Sequence, residues 1–162
     1  MNGKMLCVMA GYDDATEEHL ALLQKSLYNS GFFGTHTKNL PQHITLATFD
    51  TTQEEIALMS LRQAAIVTNA FNISFNHTGI FGGAKVLFIA PDPNRELLAL
   101  KEHFGQSDNW TPHTTMLIDE PETIYRAIPF IMEGFHGFGG MVTSLYLYEF
   151  WPARLIEKVM LK

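Results

Sequence analysis

The chain has 162 residues, of which 46% are hydrophobic and 17% charged, and its formal net charge is −6. This length fits one domain with a sizeable core, and the hydrophobic content excludes an intrinsically disordered chain. The eleven basic residues are scattered, which argues against a partner such as long duplex nucleic acid, because such proteins neutralise phosphates with clustered Lys and Arg.

The composition also predicts the cellular compartment of the protein. The longest aliphatic run, residues 5–10, is too short for a membrane span or for the apolar region of a signal peptide. The single cysteine, Cys7, has no partner within the chain for a disulfide, so nothing calls for an oxidising compartment. We therefore expect a cytoplasmic protein with no membrane partner.

The first part of the chain predicts two strands, each followed by a helix. Residues 5–10 form an apolar run that is typical of a buried strand. The next helix is expected to begin at a capping box over residues 14–17 and to end near Gly31. Residues 43–49 read as a short strand, and a second capping box over residues 51–54 predicts a helix to about residue 65.

The middle of the chain predicts a hairpin of two strands and a helix. In residues 71–77 apolar side chains alternate with polar ones, so Phe71, Ile73, Phe75 and His77 are expected on one face of a half-buried strand. The pair Gly82 and Gly83 fits a turn into a strand over residues 84–90. Asp92 followed by Pro93 predicts the start of the next helix.

The last part predicts a strand, a helix and a final strand. Residues 113–118 read as a short strand, and Glu120 before Pro121 opens a helix. Pro129 is expected to end or kink that helix, because proline cannot donate the main-chain hydrogen bond. Residues 144–150 predict the last strand, which Pro152 ends.

Two segments of the chain repeat one pattern. Residues 42–50 and residues 112–120 each place a short strand before a helix and a further strand. The repetition predicts an α+β fold of two pseudo-symmetric lobes, each an antiparallel sheet with outer helices, and a cleft between them. We expect residues 1–162 to form this single bilobal domain.

Each repeated strand begins with a histidine and a threonine two positions later. Residues i and i+2 of a strand lie about 6.6 Å apart on the same face. His43 therefore shares a face with Thr45, and His113 shares one with Thr115, so the two pairs are expected to converge across the cleft.

Paired imidazoles and hydroxyls suit displacement at phosphorus. One imidazole can take a proton from the entering oxygen and the other can protonate the leaving oxygen, while threonine hydroxyls donate to the non-bridging oxygens. The sequence leaves two other interpretations of the histidines. They could be ordinary strand residues, or they could bind zinc, although zinc favours His-x-His on a strand and threonine is a poor ligand.

The motifs His43-Ile-Thr-Leu and His113-Thr-Thr-Met resemble the paired signatures of the 2H phosphoesterase superfamily, which includes RNA 2',3'-cyclic phosphodiesterases and bacterial 2'-5' RNA ligase-like proteins. Residues 77–91 and Pro112 are similar to the family as well. The resemblance implies a bilobal α+β fold without metal or cofactor. It also implies that His43 and His113 are catalytic and that Thr45 and Thr115 bind phosphate.

The sequence thus predicts a metal-independent phosphoesterase that hydrolyses a nucleotide or RNA-end phosphodiester, with a 2',3'-cyclic phosphate as the first choice. Two alternatives stay open, namely 2'-5' RNA ligase activity and a non-catalytic nucleotide- or phosphate-binding module. Phe81 is a candidate wall of the cleft, no metal or cofactor is expected, and we expect a monomer. Which histidine is the acid and which the base stays open.

Overall fold

The computed structural model describes residues 3–162 and contains seven strands and four helices. The strands are β1 (Met5–Tyr12), β2 (His43–Asp50), β3 (Phe71–Ile80), β4 (Val86–Pro91), β5 (Thr114–Ile118), β6 (Phe138–Phe150) and β7 (Arg154–Met160). The helices are α1 (Asp14–Asn29), α2 (Glu54–Val67), α3 (Arg95–Glu102) and α4 (Pro121–Gly134).

One long strand, β6, joins two lobes. Its residues 138–142 pair with β3, its residues 142–150 pair with β1, and its residues 144–149 pair with β7, all antiparallel. The first lobe therefore has the strand order β2-β1-β6-β7 and the second has the order β5-β4-β3-β6. The predicted α+β class with two antiparallel lobes is confirmed, and the strand that carries each His-x-Thr motif lies at the edge of its lobe.

The core is built from one face of every strand. Leu6, Val8 and Ala10 of β1 are fully buried in the main cluster of hydrophobic residues, which draws on both lobes and on all four helices. The alternate residues Cys7 and Met9 face the other way and pack with aromatic residues of β6 in a second, smaller cluster. The main cluster therefore connects the two lobes, and one domain over residues 1–162 stays a prediction.

The helices begin one or two residues away from the predicted caps. Asp13, not Asp14, caps α1, because its extended backbone lets its carboxylate accept the Thr16 N–H. Glu17 does not close a capping box there and instead accepts the Gln42 N–H at 3.0 Å. Where two aspartates are adjacent, the sequence pattern alone does not tell which one caps the helix.

The next two helix starts show the same displacement. Asp50 and Gln53 form the capping box before α2, and a turn of 3-10 helix over Thr51–Gln53 leads into the helix. Asn94, not Asp92, caps α3, since its side chain accepts the Leu97 N–H. Asp92 instead ends the preceding strand pair, with its N–H donating to the Ser74 carbonyl.

Helix α4 continues through Pro129 to Gly134, so of the two expectations for this proline, a stop or a kink, the stop is wrong. Ile124, Ala127 and Ile131 lie one turn apart on the buried face and hold the helix against the core. The carbonyl that Pro129 leaves without a donor belongs to Tyr125, an exposed residue where water can replace the lost bond.

Strand β6 begins at Phe138, six residues before the predicted start, and β7 was not predicted at all. The first part of β6 was not predicted because of the glycines ahead of Met141, since glycine weakens the sequence pattern of a strand. Gly140 is needed there for packing, since a Cβ at this position would lie 2.5 Å from the Thr16 hydroxyl oxygen.

The predicted apolar face of β3 ends before its histidine. Phe71, Ile73 and Phe75 are buried as expected. A register shift between Phe75 and His77 then turns the histidine outward, where its Nδ1 lies 3.3 Å from Asp92 Oδ1. His77 is therefore an exposed residue and not part of the core.

Candidate functional site

The first motif follows the alternation that its sequence predicted. In β2, His43 and Thr45 are half-buried, whereas Ile44 and Leu46 are fully buried in the core. His43 lies opposite Gly11 of the neighbouring strand β1, and a side chain at Gly11 would collide with the Tyr146 ring. The histidine and the threonine therefore share the face that points away from the core.

The second motif repeats this arrangement at the opposite edge of the sheet. Thr115 is half-buried, and Thr114 and Met116 on either side of it are fully buried. His113 is also half-buried and directly precedes β5, which begins one residue later than predicted. We refer to His43, Thr45, His113 and Thr115 as the paired-histidine site.

The two motifs contact each other directly through Thr114. Its hydroxyl donates to the main-chain oxygen of His43 at 3.0 Å, and the Tyr12 hydroxyl, 2.6 Å away, donates to it in turn. These bonds join the edge strands of the two lobes at the level of the histidines. The alternation of β5 predicts that Thr114 faces away from His113 and Thr115, but it does not reveal this role, although a buried hydroxyl requires a partner.

Both histidines are held in the same way. His43 Nδ1 lies 2.8 Å from the carbonyl oxygen of Pro41, and His113 Nδ1 lies 2.9 Å from the carbonyl oxygen of Thr111. A carbonyl can only accept a hydrogen bond, so each Nδ1 carries the proton. In the neutral form of each ring, Nε2 therefore has a free lone pair and can take up or release a proton.

The surroundings favour the neutral form of both rings. Burial lowers the pKa of His43 below its ordinary value, the bond to Pro41 opposes this, and the charge of His113 lowers it further. Burial likewise lowers the pKa of His113, against the effect of its bond to Thr111. The charge effect means that the two imidazoles are close enough for protonation of one to disfavour protonation of the other.

Aromatic rings pack around His113. Phe81, the candidate cleft wall, lies edge-on to the imidazole with ring centres 4.6 Å apart, and Phe88 lies 5.4 Å away. Gly79 allows Phe88 to take this position, because a Cβ there would be 2.5 Å from the phenyl ring. The structure thus places Phe81 beside the paired-histidine site.

Sequence analysis found neither a side chain that bonds to the first motif nor a lysine that lies on the same face of the sheet. The Trp110 indole N–H donates to the Thr45 carbonyl at 3.2 Å, which ties the loop before His113 to the first motif. Lys158 lies over the Tyr146 ring, 5.3 Å from its centre, on the same face as Thr45 but three strands away. Lys158 could not be placed from the sequence, because it lies on β7 and the sequence did not predict that strand.

A cavity of about 390 Å³ opens beside the site. Of the paired-histidine site, His43 and Thr115 line it, whereas Thr45 and His113 do not. Within residues 3–162 no three His, Cys, Asp or Glu side chains are grouped as a metal site would require. No helix in that part of the chain is long and apolar enough to span a membrane.

Comparison with known families agrees with this geometry. Residues 13–149 match the family model described as the 2'-5' RNA ligase superfamily. The chain belongs to that superfamily, the 2H phosphoesterases. The match spans both His-x-Thr motifs. No curated protein matches the chain by sequence.

Solved structures share the fold at low sequence identity. The protein TT0787 of Thermus thermophilus superposes with a TM-score of 0.69 at 15% identity, covering 97% of each chain. Escherichia coli LigT complexed with phosphate gives a TM-score of 0.64 at 17% identity, covering 98% of each chain. LigT complexed with 3'-AMP gives 0.64 at 15% identity, with the same coverage. These proteins therefore share the fold found here.

Proposed function

We propose that the protein is a metal-independent phosphoesterase that hydrolyses the 2',3'-cyclic phosphate of a nucleotide or an RNA end. One observation carries the proposal: two half-buried histidines on adjoining edge strands are held in the same tautomer by the carbonyl two residues earlier. Ordinary strand histidines have no reason to share this arrangement. It leaves two Nε2 atoms ready for proton transfer.

In the proposed reaction, water attacks phosphorus and the bond from phosphorus to one ribose oxygen breaks. One imidazole takes the proton of the entering water, and the other gives a proton to the departing ribose oxygen. The product is a phosphomonoester beside a free hydroxyl. Thr45 and Thr115 donate to the non-bridging oxygens, where the charge develops in the transition state.

Two observations support a nucleotide-sized substrate. E. coli LigT has been crystallised with phosphate, with 3'-AMP and with ATP, all of which are phosphate compounds of modest size. The acidic net charge of −6 offers no general attraction for a long polyanion. Cytoplasmic location and a monomeric state stay predictions from the sequence.

The test is a product screen with the purified protein. Nucleoside 2',3'-cyclic phosphates, 2'-5' dinucleotides and ADP-ribose cyclic phosphate are incubated with it, and products are separated by chromatography. Release of a phosphomonoester from a cyclic phosphate would support the proposal. Binding without any product would instead favour a nucleotide-binding module.

Ligation of RNA ends through a 2'-5' linkage is a second candidate, because the matching family model carries that activity in its description. Both reactions are displacements at the phosphorus of a cyclic phosphate, so ligation needs the same four side chains, with a ribose hydroxyl in place of water. Cleavage of 2'-5' dinucleotides, or joining of an RNA 5'-hydroxyl to a cyclic phosphate end, would favour it.

We expect activity to be independent of metal ions. The paired-histidine site presents one nitrogen and one hydroxyl from each strand, and hydrolytic zinc requires three protein ligands. Treatment with excess EDTA should leave kcat/KM on adenosine 2',3'-cyclic phosphate unchanged. Loss of activity that zinc or manganese restores would contradict the mechanism.

We expect a bell-shaped dependence of kcat/KM on pH, with its maximum on the acid side of about pH 6.5, the ordinary pKa of histidine. Both shifts are downward, so the base stays neutral to lower pH and the acid loses its proton earlier as the pH rises. The two limbs report the coupled pair and not single residues. A flat profile from about pH 4 to about pH 9 would show that neither histidine transfers a proton.

A further inference from the structure

Five rings line part of the cavity beside the paired-histidine site, namely those of Tyr28, Phe33, His36, Phe150 and Trp151. His43 and Thr115 of the site line it as well. Its volume of about 390 Å³ lies within the range of roughly 300–1,000 Å³ that is typical of small-molecule sites. A group attached to a phosphate at the site can therefore enter the cavity directly.

The lining carries no formal charge. None of the residues around the cavity is Lys, Arg, Asp or Glu. Its two glutamines bond within the protein, since the Gln42 amide donates to Gln24 at 2.7 Å and the Gln24 amide donates to the Met116 carbonyl at 3.1 Å. The cavity is therefore suited to an uncharged group and offers nothing to neutralise additional phosphates.

The outer wall, residues 32–37, is fixed to the fold. The Thr35 N–H donates to the Ile118 carbonyl at 2.8 Å, and Gly34 packs so closely that a Cβ there would lie 2.3 Å from the same oxygen. Phe32 anchors the segment in the core, where its ring lies 5.1 Å from that of Phe130. The cavity is thus a shaped site with a wall held in place.

Two of its rings are left open to solvent. Phe33 is 60% exposed and Trp151 is 58% exposed, and both line the cavity. A flat ligand is expected to bind to such exposed rings, because stacking removes the apolar face of the ring and the face of the nucleobase from water.

We propose that this cavity binds the uncharged aromatic base of a single nucleotide, and that further nucleotides of an RNA chain add no affinity. The proposal rests on the proposed function, because it places the reacting phosphate at the paired-histidine site and the base beyond it. Trp151 and Phe33 are then specificity-determining residues. They act on binding of the base and not on the reacting bond.

The test compares three substrates that share the reacting group. These are adenosine 2',3'-cyclic phosphate, the same cyclic phosphate of methyl riboside, which lacks a base, and a trinucleotide that ends in the cyclic phosphate. We expect kcat/KM to be about tenfold or more higher with the base than without it, which corresponds to the stacking of one base. The trinucleotide should be turned over no better than the mononucleotide.

Substitutions at the cavity then test whether it causes the preference for the base-bearing substrate. Trp151→Ala combined with Phe33→Ala should bring the ratio of base-bearing to base-free kcat/KM close to one. Tyr125→Ala removes an equally exposed ring on α4, away from the cavity, and should keep the wild-type ratio. A ratio near one in the wild type, or an unchanged ratio in the double variant, would overturn the proposal, as would a trinucleotide preferred by tenfold or more.

Binding is measured separately from turnover. The chain has two tryptophans, Trp110 and Trp151, so adenosine 2',3'-cyclic phosphate should quench fluorescence in the wild type and much less in Trp151→Phe, which keeps a ring for stacking. Quenching without turnover would uphold the cavity and refute the proposed hydrolysis. Turnover without quenching or base preference would refute the cavity and leave the hydrolysis intact.

Discussion

Replacement of either His43 or His113 by alanine is expected to lower kcat/KM on the best cyclic phosphate by about 10²–10⁴-fold. Each substitution removes an imidazole whose tautomer is set by the hydrogen bond from Nδ1 to a main-chain carbonyl. The Nε2 atom that would transfer the proton is lost with it. Because the mechanism needs both an acid and a base, the loss of one group cannot be compensated by the other. The measurement is steady-state turnover of adenosine 2',3'-cyclic phosphate, with circular dichroism and thermal unfolding to check the fold.

Substitution by asparagine separates catalysis from support of the local backbone. In His43→Asn and His113→Asn the side-chain amide can still donate to the Pro41 or Thr111 carbonyl, but nothing replaces Nε2. We expect both variants to fold like the wild type and to be as inactive as the alanine variants. His103→Ala, at the exposed end of α3, is the matched control and should keep full activity. Near wild-type rates in a folded asparagine variant would exclude the paired mechanism.

Much of the site's backbone could be predicted from local sequence. The period of two in His43-Ile-Thr-Leu places the histidine and threonine on one face, and the burial of Ile44 and Leu46 agrees with this. The same holds for Thr115 between Thr114 and Met116. Alternation is a property of the strand itself, so it holds wherever the strand is regular, as in these two motifs and unlike β3 at His77.

The features around the site that the sequence did not predict depend on contacts between distant parts of the chain. Thr114 bonds to His43 across 71 positions, and Trp110 bonds to Thr45 across 65. Strand β7 has a weak alternation of its own and is defined by its pairing with β6. The cavity wall has no periodic pattern, and it is held by the hydrogen bond from Thr35 to Ile118 and by the close packing of Gly34 on the same carbonyl. Local patterns carry no information on such pairings.

The last prediction compares valine substitutions at three threonines of the two motifs. Replacement of Thr45 or Thr115 by valine should weaken transition-state stabilisation by roughly 2–4 kcal/mol, if each hydroxyl acts like one donor of an oxyanion hole. Both side chains are half-buried on the face of the histidines, so the free energy of unfolding should change by less than about 0.5 kcal/mol. The measurements are kcat/KM and urea unfolding.

Thr114→Val is the matched comparison, because the same change is made one residue from Thr115 on the opposite face of β5. Its hydroxyl is fully buried and bonds to the Tyr12 hydroxyl and the His43 carbonyl. Valine would leave both buried groups without that partner, which should cost about 1–3 kcal/mol of folding free energy. Thr114→Val should therefore be distinguished by lost stability, and Thr115→Val by lost turnover at nearly full stability. If Thr115→Val unfolds more easily than Thr114→Val, or keeps the wild-type rate, its hydroxyl does not bind the reacting phosphate.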